Sequence, residues 1–99
     1  MNEHPRQLPI PPDAAEDTRA IELLRIWAVK GKQHVSLATG LWDDPASWGI
    51  MLVDLARHVA NAYSELKGMS HHEALLRLKD GFDAEWEEQT DQPTGEVTG

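Results

Sequence analysis

Four of the six prolines fall in Met1 to Pro12, and Thr90 to Gly99 holds one large apolar residue, Val97, so neither end has the means to build a core. The foldable part is thereby confined to about Asp13 to Trp86. The expected layout is an extended proline-rich arm over 1–12, one domain over 13–88 and a disordered acidic tail over 89–99. A chain this short buries a small fraction of its surface, and stability then calls for heavy core side chains or a second subunit. Trp27, Trp42, Trp48 and Trp86 are candidates for the first remedy.

Within that window, Gln33 to Thr39 alternates, with Val35, Leu37 and Thr39 on one face and His34, Ser36 and Ala38 on the other, which predicts a strand. Three segments carry helical arcs. The first is opened by Asp13-Ala-Ala-Glu16 or Asp17, runs from about residue 14 or 18 to Lys30 and stops at Gly31. Ala20, Ile21, Leu23, Leu24, Trp27 and Ala28 spread over one broad arc of it, while Ile26 and Val29 fall on the far side. Such a two-faced helix fits between two partners, either a sheet and a helix or the core and a second subunit. Lys30 and Lys32 read as charges favoured at its C-terminus.

The second helix begins near Ser47 or Trp48 and ends at Lys67 before Gly68. Leu52, Val53, Leu55, Ala56, Val59, Ala60, Ala62, Tyr63 and Leu66 fill half its circumference. Ser70-His-His-Glu73 is a capping box with Met69 placed as a hydrophobic staple, the most specific local signal in the chain. It opens a third helix to about Glu87, striped by Leu75, Leu78, Phe82 and Trp86. The predicted fold class is α+β: three helices with a small β-sheet, its strand near residues 33–39. Arg6 to Pro12 is a candidate N-terminal edge strand, since its prolines remove the donors a central strand needs.

A net charge of −8 opposes binding to polyanions, so nucleic acid and anionic membrane surfaces are poor partners. With no cysteine in the chain, disulfides, thiolate metal sites and cysteine nucleophiles are all excluded. This fits a reducing compartment, and the expected location is cytoplasmic. The beginning of the chain lacks a basic region followed by an apolar run, and no apolar stretch reaches the length of a membrane span.

The one polar constellation with chemical potential lies on the second helix, where Asp54, Arg57, His58 and Asn61, with Glu65, share an arc of about 100°. A carboxylate four residues before a histidine can orient the imidazole and raise its basicity. The same residues also suffice as the solvated face that a core helix must have, and that reading is weighted more heavily. Trp42 and Trp48 bracket the preceding loop, either pinning it to the core or lining a pocket. The five histidines show no His-x-x-x-His pair and no His-Glu-x-x-His motif, and no metal or cofactor is expected. None of Ser36, Ser47, Ser64 and Ser70 lies in a Gly-x-Ser-x-Gly turn, and the glycines form no phosphate loop.

Leu8-Pro-Ile-Pro-Pro12, Ala20-Ile-Glu-Leu-Leu-Arg-Ile-Trp27 and, above all, Trp48-Gly-Ile-Met-Leu-Val-Asp-Leu-Ala-Arg-His-Val-Ala-Asn61 resemble the uncharacterised proteobacterial family catalogued as domain of unknown function 5076. The resemblance covers residues 6 to about 86. It implies a bacterial origin and a stand-alone small domain, and it supplies no catalytic residue, cofactor or substrate. The leading expectation is a non-enzymatic homodimeric or partner-binding domain. The alternative is a small-molecule binder or minor enzyme using Asp54, Arg57, His58 and Asn61 near Trp42 and Trp48.

Overall fold

The computed structural model describes residues 3–88 and 97–98. Among them are three helices, α1 (Pro12–Glu16), α2 (Pro45–Lys67) and α3 (His71–Glu87), and three strands, β1 (Leu24–Val29), β2 (Lys32–Leu37) and β3 (Val97–Thr98). The architecture is α+β, as the sequence leads one to expect. The sheet has the order β1-β2-β3, with β1 antiparallel and β3 parallel to β2.

The first helix is the main correction. Only Pro12–Glu16 is helical there, and Leu24–Val29, assigned to the same helix by periodicity, is a strand hydrogen-bonded to β2. The two-faced apolar pattern has its explanation in a period of two. Opposed residues share a face, so Leu24 and Ile26 lie with Leu37 and Val35, while Arg25 and Trp27 lie with Ser36 and His34. Gly31 ends no helix, and Lys30 caps none. Both residues have positive φ, 52° and 77°, and form the two-residue turn between paired Val29 and Lys32. A left-handed lysine is strained, whereas asparagine is at home there. Lys30→Asn is therefore expected to raise the melting temperature by several degrees, about 1 kcal/mol, in a thermal unfolding scan. An unchanged or lower value would contradict a left-handed Lys30.

The strand expected over 33–39 runs from Lys32 to Leu37, and Ala38 N–H extends it by donating to the Leu23 carbonyl at 3.0 Å. Its partners are β1 and β3. The arm supplies no edge strand: it turns at His4–Gln7 and lays the His4 ring on Trp27, with ring centroids 4.9 Å apart. The expected tail disorder falls mostly on residues 89–96 and 99, outside the described residues. Val97 and Thr98 do not follow that expectation, since they pair with Val35 and Ser36.

The helical hairpin follows its caps closely. Asp44 accepts a hydrogen bond from Ala46 N–H at 3.0 Å, and Pro45 fills the first turn, where its missing N–H costs nothing. Gly68 ends α2 in the left-handed conformation, and Ser70 Oγ accepts from Glu73 N–H at 3.1 Å to start α3. Met69 lies beside Ala74 as a staple requires. Outside the elements, Asp17 accepts from the Arg19 side chain and backbone N–H, and these bonds hold its carboxyl below the usual range.

Among the described residues, close backbone approach between elements occurs in two places. The strands pack among themselves and α2 packs on α3, but among the described residues no strand Cα comes within 8 Å of a helix Cα. The buried core reduces to Ala60 on α2 and Ala74 on α3.

Candidate functional site

Asp54, Arg57, His58 and Asn61 all lie exposed on α2. Asp54 reaches Arg57, three residues on, at 3.9 Å. Both ends of that pair are solvated, a setting in which an ion pair contributes little. Trp42 and Trp48 do come together: both are half-buried and meet edge to face, with centroids 5.0 Å apart. At 100° per residue Trp48 lies about 80° around α2 from His58 and 120° or more from Asp54, Arg57 and Asn61. The helix thus turns the tryptophan pair and the polar quartet in different directions. Among the described residues no three His, Asp or Glu side chains gather as metal ligands.

A concavity that sequence reasoning missed lies on the sheet. Trp27, Val29, His34, Val35, Ser36 and Thr98 line a groove of about 370 Å³, near the lower end of ligand-site sizes. Trp27 and His34 meet there because they are register partners across β1 and β2. Seeing this from sequence would have required reading Leu24–Val29 as a strand. A smaller groove of about 240 Å³, formed by Tyr63, Met69, Ala74, Arg77 and Leu78, marks the crossing of α2 and α3.

Uncovered apolar surface dominates the molecule. Leu24, Ile26, Val35 and Leu37 share one sheet face beside Val97, where Ile26 is 50% exposed and the other three are half-buried. Leu52, Leu55, Tyr63 and Leu66 stand exposed along α2, and Phe82 stacks on Trp86 at the far end of α3, both exposed. The accessible surface is 8770 Å², against about 5,700 Å² for a compact monomer of 11.1 kDa. Allowing the residues outside the described set the full surface of an extended chain, roughly 1,800 Å², still leaves an excess above about 1,000 Å². Neither Leu8 nor Ile10 of the arm relieves it, since they are 85% and 58% exposed themselves.

Among curated proteins none matches this chain. A solved structure from Rhodopseudomonas palustris CGA009, bearing the provisional name of a pyruvate dehydrogenase, is 38% identical. It superposes with a TM-score of 0.71 over 97% of this chain and 98% of its own. The family model for a domain of unknown function, DUF5076, matches residues 7–90. The motifs around Trp27 and from Trp48 to Asn61 fall inside that match, and the chain belongs to the DUF5076 family.

Proposed function

We propose that this protein is a non-enzymatic homodimeric binding domain, whose subunits complete each other's core. The observation that carries the reading is the apolar surface that sheet and hairpin leave open, Ile26 on the one and Leu52, Leu55 and Leu66 on the other. The excess of surface exceeds the roughly 800 Å² that each partner contributes to a standard interface. Desolvating such faces is the dominant favourable term in association. Among the described residues no helix is long and apolar enough to cross a membrane, which leaves protein as the natural cover for these surfaces.

The alternative, a small-molecule binder or minor enzyme, draws on Asp54, Arg57, His58 and Asn61, and the provisional name of the R. palustris protein is the one comparison that points toward an enzyme. Their exposure and their divergence from Trp42 and Trp48 favour the binding-domain reading. A melting-temperature screen against small carboxylic acids tests it directly. A shift that is lost in His58→Ala would restore the small-molecule reading.

The dimer is tested by light scattering. A dimer mass is expected at tens of micromolar, and Ile26→Glu, which sets a carboxylate in the apolar sheet face, splits it only where that face lies in the interface. A monomer mass for the unmodified chain would refute the homodimer.

A further inference from the structure

We infer that α2 itself is the main dimer seam and pairs antiparallel with α2 of a second copy. This rests on the dimeric reading above and specifies its interface. Trp48, Leu52, Leu55, Val59, Ala62 and Leu66 follow one another at intervals of 4, 3, 4, 3 and 4 residues. That is the a/d spacing of a two-stranded coiled coil, sustained over nearly the whole helix.

Within the chain this stripe has no cover. Leu52, Leu55, Ala62 and Leu66 are exposed, Leu66 to 78%, and only Trp48 and Val59 are half-buried. The neighbouring helix does not compete for it. α3 packs over the side of α2 that carries buried Ala60 and half-buried Ala56 and Ser64. The stripe is centred roughly 120° around the helix from Ala60. A second helix can therefore lie on α2 while the hairpin stays closed.

A second copy fits this stripe on three grounds. First, the uncovered area is larger than one standard interface requires, so one more chain of the same kind can be accommodated. Second, the stripe is self-complementary. About a two-fold axis level with Arg57, Leu55 meets Val59 of the second copy, Leu52 meets its Ala62 and Trp48 meets its Leu66, so each seam residue faces an apolar one. The antiparallel sense also opposes the two helix dipoles favourably. Third, a chain of net charge −8 repels its copy everywhere except where carboxylates are sparse, and α2 holds only Asp54 and Glu65, both outside the stripe.

The absence of cysteine makes the test clean. In the full-length chain, Leu55→Glu is expected to weaken dimerisation about a hundredfold or more while helix content by circular dichroism is retained, since two carboxylates would enter the seam without partners. His58→Cys lies on the flank of the seam beside the axis and is expected to give a covalent dimer with a short bismaleimide, whereas Lys67→Cys, at the far end of α2, is not. The cross-link decides the matter even if Leu55→Glu fails to fold. A dimer that survives Leu55→Glu, is split by Ile26→Glu and gives no His58→Cys cross-link overturns the α2 seam and leaves the dimer standing, built on the sheet. A wild-type monomer overturns both.

Discussion

Substituting Ala60 by aspartate is expected to unfold the helical hairpin at ambient temperature. Among the described residues Ala60 is the one with no exposed surface, at the place where α2 packs on α3. A carboxylate there would be desolvated. Leaving a charge buried without a partner costs roughly 3–5 kcal/mol, a large share of what a small domain has in total. Thermal unfolding followed at 222 nm should show the transition lowered beyond about 15 °C or lost. The loss should shrink as the pH falls through the carboxylate range: burial raises the folded-state pKa of the new side chain, so the folded hairpin binds the proton more tightly than the unfolded chain does. Asn61→Asp, one position along and exposed, should move stability by no more than about 0.5 kcal/mol. Equal effects at 60 and 61 would show that the two helices do not pack at Ala60.

The second large effect is expected at Gly68. Its φ of 72° lies in the left-handed region, and a Cβ added there would meet nothing within 4 Å. The cost of a side chain is therefore one of backbone conformation alone. A β-branched residue held in that region costs about 1–3 kcal/mol, so Gly68→Val should lower the melting temperature by about 10 °C, whereas Gly68→Asn should retain most of the stability. Equal losses for the two variants would point to a steric clash that open space around Gly68 forbids. The sharp turn matters because it folds α3 back on α2 and so determines which side of α2 stays uncovered.

The hairpin was legible because its signals are local. Gly68, and Ser70 with Glu73, act within one turn of chain as their sequence leads one to expect, whereas α2 starts at Pro45 behind an Asp44 cap, ahead of the start expected near Ser47 or Trp48. Leu24–Val29 was not legible. A short apolar run with bulky residues on every side satisfies a helix and a strand equally, and the turn at Lys30–Gly31, with its register to β2, decided between them. The Trp27–His34 groove was hidden for the same reason, since it exists only once that register is set.

The candidate residues divide in the same way. That Asp54, Arg57, His58 and Asn61 share one arc of α2 follows from helical spacing, and so does their solvent exposure opposite an apolar stripe. Whether Trp48 would join them was a question of how the loop from Gly40 to Asp44 enters the helix. The structure turns Trp48 toward Trp42 instead.

The sequence by itself determined the class α+β, the strand at Val35, both long helices, the end of α2 and the ends of α3, because periodicity and capping are properties of neighbouring residues. Only the tertiary structure decided that β1 is a strand and which apolar faces remain open. Those outcomes depend on pairing between residues distant in the chain. Hydrophobic attraction has no direction, so a sequence announces how much apolar surface must be covered without saying what covers it.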